Sequence, residues 1–341
     1  MTPERLVRSG DVLVNSTGTG TLGRVAQLRK NPTEPTTVDS HVTIVRPKDG
    51  LFCSEFFGYA LVAIEEKIQE GGEGCGGQTE LSRSKLADDY RVRFPVDISA
   101  QRRIVAILDE AFEGIVTAKA NAEKNLQNAM SVFDNFLDEN LANSAWPRKT
   151  LGELCNGVEY GSSAKSKKEG RIPVLRMGNI QSGCLDWGDL VYTDAEDEIA
   201  KYLLKKNDVL FNRTNSPELV GKTAIYRGEM PAIFAGYLIR INRNEELLNA
   251  DFLCYFLNSK AAIEYGKTVV ISSVNQANIN GTKLKSYPIP APSLSEQIAT
   301  VAKLNELSES TRRLSDIYER KLVALDDLKK SLLHQAFTGQ L

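Results

Sequence analysis

A chain that carries one pattern twice at a fixed spacing must build one unit twice, and this constrains the fold more than any local feature. The stretch "SGDVLVNSTGTGTLGRVAQL" (residues 9–28) returns as "KNDVLFNRTNSPELVGKTAIY" (206–226). Asp11, Val12 and Leu13 pair with Asp208, Val209 and Leu210, Asn15 with Asn212, Thr17 with Thr214, and Gly23 with Gly221. Further on, "HVTIVR" (41–46) matches "YLIRIN" (237–242), "SEFFGYAL" (54–61) matches "ADFLCYFL" (250–257), and "SKL" (84–86) matches "TKL" (282–284). "PVDISAQRRIVAIL" (95–108) then aligns with "PAPSLSEQIATVAKL" (290–304), placing Gln101 on Gln297. The offset stays between 195 and 198, which marks a duplication.

Each copy ends in a long helical segment. After Pro95, apolar residues recur at Ile104, Leu108, Ala111, Ile115, Ala118, Ala122, Leu126, Ala129, Phe133 and Leu137, in steps of three and four. After Pro292 the rhythm runs through Val301, Leu304, Leu307, Leu314, Ile317, Leu325, Leu328 and Leu332. Helices of about 40 residues span ~60 Å, and their apolar stripes need a partner; the nearest partner is each other. Ahead of each helix, short β-branched and aromatic runs such as "DVLFN", "TAIYR" and "YLIRIN" alternate with Asn, Gly, Ser and Pro turns. The expected layout is α+β. Two mixed modules (1–96 and 145–292) are separated by long helices (97–144 and 293–341) that pair with each other.

The modules differ in length. The second begins at "WPRKTLGEL" (146–154), about sixty residues before Asp208, whereas ten residues precede Asp11, so about fifty residues of the first module are expected to be absent. A module short of that segment risks unpaired edge strands and a marginal sheet.

Composition excludes several classes. With 42% hydrophobic and 25% charged residues, the chain can bury two cores. It lacks an apolar run long enough for a membrane span, and "MTPERLVRSGD" lacks a signal-peptide core, so a cytoplasmic protein is expected. Cys53, Cys75, Cys155, Cys184 and Cys254 lie far apart with no C-x-x-C spacing, which argues for reduced structural thiols over a zinc ribbon. The net charge of −2 hides a local imbalance: residues 145–292 carry 19 Lys+Arg against 16 Asp+Glu, residues 97–144 carry 4 against 8.

Catalytic signatures do not assemble. His41 and His334 are far apart, which disfavours a His-based triad or zinc site. "GKT" at 221–223 lacks the first P-loop glycine, since position 216 is Ser216. Glu65-Glu66-Lys67 lacks the upstream Pro-Asp of a nuclease and reads as a solvated helix end, "GGEGCGG" (71–77) reads as a loop, and no Asn-Pro-Pro-aromatic methylation motif occurs. What stands out instead is a set of polar turns in the basic module: "YGSSAKSKKEGR" (160–171), "RMGNI" (176–180), "NRTNSPE" (212–218) and "ISSVNQANINGTK" (271–283). Asn and Gln suit adenine edges, Arg and Lys suit guanine, and small hydroxyls reach phosphate oxygens. Any one of these turns alone is ordinary loop chemistry. Their clustering, and the recurrence of two of them in the duplicate, points to DNA.

The residues that carry a family likeness are "GDVLVNSTGTGTLGRVA", "NDVLFNRTNSPELVGKTA", "ISAQRRIVAILD", "LSEQIATVAKL", the "LGEL" opening and the ending "LKKSLLHQAFTGQL". In these the chain resembles the specificity subunit of type I restriction-modification enzymes over essentially its whole length. The resemblance implies two target-recognition domains, each reading half of a split double-stranded DNA target, held apart by the long helices paired as an antiparallel coiled coil. It implies no catalysis and no cofactor on this chain, with S-adenosylmethionine, ATP and Mg carried by the modification and restriction subunits that dock on it, and no membrane partner. The expected DNA-facing residues are Ser162, Ser163, Lys165, Arg176, Asn179, Arg213, Thr214, Asn215, Lys222, Ser273, Asn275, Gln276 and Asn278 in the second module. In the first they are Asn15, Ser16, Thr17, Thr19, Arg24, Gln78 and Ser82. The apolar stripes and the acidic excess of residues 97–144 are the expected docking surface for the other subunits. Alternatives stay open: a single working reader, self-association of such a subunit on a symmetric target, a coiled-coil scaffold without DNA, or a stand-alone methyltransferase or nuclease, the last opposed by the missing motifs.

Overall fold

The computed structural model describes residues 6–73, 79–141, 145–273 and 276–341. Two compact units emerge, Met1–Leu126 with Asp316–Leu341, and Gln127–Ser315, so each long helix contributes to both.

In the first unit, β1 (Val12–Asn15), β2 (Val25–Gln27) and β3 (Val42–Val45) form an antiparallel sheet in the order β2-β1-β3. Helices α1 (Ser54–Ala63), α2 (Glu65–Glu70) and α3 (Arg83–Asp88) follow before α4 (Ile98–Leu141). Phe56, Ile104, Val105, Leu108, Leu333 and Ala336 form one core cluster. Within this unit the helices run antiparallel: Leu108 packs in the same cluster as Leu333, Lys329 sits over the Phe112 ring, and Lys119 pairs with Asp326 at 2.5 Å. Partner numbers fall along the C-terminal helix as they rise along α4, the antiparallel pairing that the resemblance implied.

The second unit continues with β4 (Arg148–Thr150), α5 (Leu151–Leu154), β5 (Cys155–Tyr160), β6 (Ile172–Leu175), β7 (Ile180–Gln181), β8 (Cys184–Leu185), β9 (Val191–Thr193) and α6 (Glu196–Tyr202). After these come β10 (Val209–Asn212), β11 (Thr214–Asn215), β12 (Thr223–Ile225), β13 (Ile233–Phe234) and β14 (Leu238–Arg243). The chain then forms α7 (Ala250–Leu257), α8 (Lys260–Val269), β15 (Ile271–Ser273), β16 (Gln276–Asn278), α9 (Gly281–Lys285), β17 (Pro288–Pro290) and α10 (Leu294–Thr338). The main sheet has the order β12-β10-β14-β5, and a smaller one the order β13-β6-β9. Strand β10 is buried at every position, as a central strand covered on both faces must be. The first unit repeats β10, β12 and β14 as β1, β2 and β3. Among the described residues, β3 is paired on one side only, whereas β14 lies between β10 and β5.

The duplicated turn explains itself as a scaffold. Gly10 and Asn207 both take the left-handed conformation (φ 94° and 71°), which glycine adopts freely and asparagine tolerates best among the rest. The next residue caps the turn in both copies: Asp11 accepts from the Arg8 amide and Asp208 from the Lys205 amide, each at 2.9 Å. Further along, the Asn15 side chain donates to the Thr21 carbonyl (2.9 Å) and Asn212 to that of Leu219 (3.3 Å). Gly23 and Gly221 close the hairpin with φ of 79° and 96°, their amides donating to the Asn15 and Asn212 carbonyls.

A second duplicated device anchors the long helices. Gln101 is fully buried; its Oε1 accepts from the Cys53 amide (2.7 Å) and its Nε2 donates to the carbonyls of Leu51 (3.0 Å) and Pro95 (2.8 Å). Gln297, equally buried, accepts from the Asn249 amide (2.9 Å) and donates to Leu247 (2.9 Å) and Pro292 (3.0 Å). One amide side chain thus pins the first turn of each long helix to the loop that starts the short helix of the same copy.

The apolar stripe of α4 follows its predicted positions, with Ile104, Leu108, Ile115, Ala122, Ala129 and Leu137 all buried. On α10 the prediction needs correction. Leu314, Ile317 and Leu328 are exposed, and the inward positions pass through Thr311, Ser315, Tyr318, Leu322 and Leu325. The seam also steps by three and four, so Leu314, Ile317 and Leu328 share its spacing but sit out of phase with it around the helix axis.

Cys254 is buried in the α7 core, and desolvation pushes its thiol up to about 12, so at pH 8 it is protonated as well as shielded. Cys184 is exposed. Brief iodoacetamide treatment of the folded chain at pH 8, followed by peptide mass mapping, is expected to label Cys184 and spare Cys254. Equal labelling of the two would show that the α7 core opens readily.

Candidate nucleic-acid interface

A polar groove of about 430 Å³ opens in the second unit, lined by Arg176, Met177, Gly178, Gln181, Asp189, Asn215, Leu219, Lys222 and Tyr237. It is assembled from the segment after β6, the loop after β8, the β10–β12 connection and the residue before β14. Arg176 caps a 3-10 turn at Met177–Asn179, its amide donating to Asn179 Oδ1 at 2.8 Å. Asn179 Nδ2 donates to the carbonyls of Asp186 (3.0 Å) and Asp189 (2.9 Å). One buried amide therefore fixes both segments of that wall. Across it, Arg176 Nη2 donates to Asp189 Oδ2 at 2.9 Å. Lys222 Nζ reaches Gln181 Oε1 at 3.3 Å. Tyr237 is half exposed, an aromatic surface at the groove's edge.

Of the predicted contacts, Arg176, Asn215 and Lys222 are brought together here. Ser163 and Lys165 lie exposed on the loop after β5, and Gln276 is exposed at the start of β16. Arg213 and Asn278 form a separate cluster: the Arg213 guanidinium lies 4.8 Å from the Tyr160 ring centroid, and its Nη2 donates to Asn278 Oδ1 at 3.4 Å.

Several predicted contacts do not face solvent, and the expected location is corrected for them. Asn179 is 3% exposed and holds the wall described above. Ser162 is buried, with its hydroxyl donating to Glu198 and accepting from the Ala164 amide. Thr214 is buried against Asn278 (2.7 Å), and Ser16 is buried against Thr43 (2.6 Å). Asn15 spends its side chain on the hairpin turn. Small polar residues satisfy buried backbone as readily as they meet a ligand, and sequence alone does not separate the two uses.

Ser82 caps α3 by accepting from the Lys85 amide at 3.1 Å and stays exposed. Thr17 Oγ1 bonds His41 Nδ1 at 2.8 Å, while Thr19 and Arg24 are exposed. Gln78 and Asn275 lie outside the described residues, as does the side chain of Ser273. Gln181, Asp189 and Tyr237 were missed by sequence reasoning. Tyr237 had one signal, its alignment with His41 at the head of a duplicated strand; Asp189 had none. The described residues contain no group of His, Cys, Asp and Glu able to hold a metal ion.

Residues 143–319 match the family described as type I restriction modification DNA specificity domain, which is more than half of the chain. The chain belongs to this family. Among its specificity-subunit relatives, it is 30% identical over 197 residues to the putative type I restriction enzyme MjaX specificity subunit of Methanocaldococcus jannaschii, covering 57% of this chain and 45% of that protein. It is 26% identical over 241 residues to the EcoKI specificity subunit of Escherichia coli, covering 69% and 48%. The chain thus spans about half the length of these curated relatives. Two solved structures share the fold. One is a chain from work on complex assembly and conformational transition of the type I R-M system, with a TM-score of 0.79 at 18% identity, covering all of this chain and 85% of that one. The other is the HsdS subunit from Thermoanaerobacter tengcongensis, with a TM-score of 0.63 at 19% identity, covering 100% and 84%. The matched segment 143–319 contains every residue that lines the groove. No helix among the described residues is long and apolar enough to cross a membrane.

Proposed function

We propose that this chain is the DNA-reading, non-catalytic subunit of a cytoplasmic type I restriction-modification complex. Its second module reads one half of a bipartite duplex target through the groove around Arg176, Asn215 and Lys222, and its first module reads the other half. The paired helices carry the modification subunits, which bring S-adenosylmethionine and methylate adenine N6, and the restriction subunit, which brings ATP and Mg. The observation that carries this reading is the coincidence of the polar groove with the segment that matches the DNA specificity family. The groove offers what duplex recognition uses: an oriented guanidinium, two amide side chains, a lysine and an exposed aromatic ring.

The test is co-expression of the full chain with type I modification subunits, followed by mapping of N6-methyladenine across the host genome. A split, asymmetric motif is expected. A symmetric motif would instead indicate self-association through the second module, and absence of any motif would overturn the reading.

Lys222 is expected to act on phosphate, because a flexible ammonium is a point charge without base-edge geometry. In the assembled complex, Lys222→Gln should weaken DNA binding about five- to tenfold on every sequence and reduce the slope of log affinity against log salt by about 1. Binding titrations at several salt concentrations check this. An unchanged slope would remove Lys222 from the interface.

A further inference from the structure

Resting on that reading, we infer that the Arg176–Asp189 pair is the part of the second module that reads a G·C base pair, with Arg176 on guanine and Asp189 accepting from a cytosine amino group. Asp189 points to this class of contact more strongly than any cation does. Its carboxylate is 93% exposed on the wall of a groove otherwise furnished with Arg176, Lys222, Asn215 and Gln181. Against a phosphate such an acid is repelled. Against the major-groove edge of a base pair it finds a donor, the N4 amino group of cytosine.

The state of Arg176 agrees. The ion pair with Asp189 leaves the guanidinium little net charge to offer a phosphate. Its position, however, is unusually fixed: Nη2 donates to both the carboxylate (2.9 Å) and the backbone carbonyl (3.4 Å) of Asp189. Among the described residues Nη1 has no hydrogen-bond partner, so its two N–H groups remain for a base edge while Nη2 is held by Asp189 and Nε is buried. Guanine presents O6 and N7 as the matching pair of acceptors.

Asn179 makes the pair a preformed element. Its buried amide accepts from the Arg176 backbone and donates to the Asp189 carbonyl, so the two reading residues are held by one side chain and lose little freedom on binding. Asn179 is a positioning residue, and the expectation that it touches DNA is replaced by this role.

The experiment uses the full chain co-expressed with modification subunits and compares methylation motifs for the parent, Arg176→Ala, Arg176→Met and Asp189→Ala. The expected result is a parent motif with a G·C pair in one half. Both Arg176 substitutions should relax that position, with discrimination falling about 10- to 100-fold, and leave the other positions intact. Arg176→Met keeps most of the stem and removes every donor, so it carries the test if Arg176→Ala fails to accumulate. Asp189→Ala should blunt the same guanine preference and loosen the cytosine contact. If Arg176→Met leaves the motif unchanged, or weakens methylation evenly at all positions, the inference is overturned while the DNA-reading function stands. A parent chain that directs no sequence-specific methylation overturns both.

Discussion

Replacing Gln297 by leucine is expected to destabilise the second unit by about 4 kcal/mol, more than any surface change in the molecule. Leucine is close in size, so the loss does not come from a cavity. It comes from three backbone groups stripped of the partner that a fully buried side chain gives them: the Asn249 amide and the carbonyls of Leu247 and Pro292. Each unsatisfied buried group costs about 1–3 kcal/mol. Urea denaturation should show a lower midpoint with an unchanged m-value. Gln101→Leu should act in the same way on the first unit, where the partners are Cys53, Leu51 and Pro95. Gln297→Glu adds a charge test. An ionised carboxylate can accept from Asn249 but opposes two carbonyl oxygens, so its folded-state pKa is raised and its residual stability, present at low pH, is lost as pH rises through that value. A cost below about 1 kcal/mol for Gln297→Leu would mean that these carbonyls find other partners and that the glutamine is no anchor.

Gly161→Ala should come next, at about 3 kcal/mol, and should take DNA reading with it. Where β5 ends, the backbone passes so close to the β13–β14 connection that a β-carbon would lie 2.5 Å from the Ala235 carbonyl oxygen and nearer still to that of Phe234. Both neighbours are backbone, with no flexible side chain to yield. The crossing is held by the Ser162 amide on the Phe234 carbonyl (2.8 Å) and the Gly236 amide on the Ser162 carbonyl (2.7 Å). Relief of the clash must move residues 234–237, and with them Tyr237 at the groove's edge. A thermal melt together with methylation mapping reads both consequences. A variant with parental stability and an unchanged motif would show that the crossing accommodates a side chain.

Most of the scaffold was legible because it depends on local rules applied twice. The constant offset identified β1, β2 and β3 as copies of β10, β12 and β14. The turn residues Asp11 and Asp208, Asn15 and Asn212, and Gly23 and Gly221 were recognisable as pairs, although their chemistry proved to be that of a hairpin. The α4 stripe could be read from its steps of three and four. The α10 seam could not, because Leu314, Ile317 and Leu328 have the right spacing in sequence but the wrong phase around the helix, and only the packed neighbours select a phase.

The groove divides along the same line. Sequence supplied its residue types, and three of its lining residues, Arg176, Asn215 and Lys222, were foreseen. Asp189 could not be, since its meaning comes from Arg176, thirteen positions away and brought to 2.9 Å by the fold. Nor could the exchange of roles within one turn, where Asn179 is buried as a brace while Arg176 beside it faces the groove. By itself the sequence determined the repeat, the two long helices, the duplicated strands and the chemistry on offer. Tertiary structure alone decided which polar side chains serve the protein's own backbone and which remain for a ligand, because hydrogen-bond partners brought together across the chain follow no sequence period.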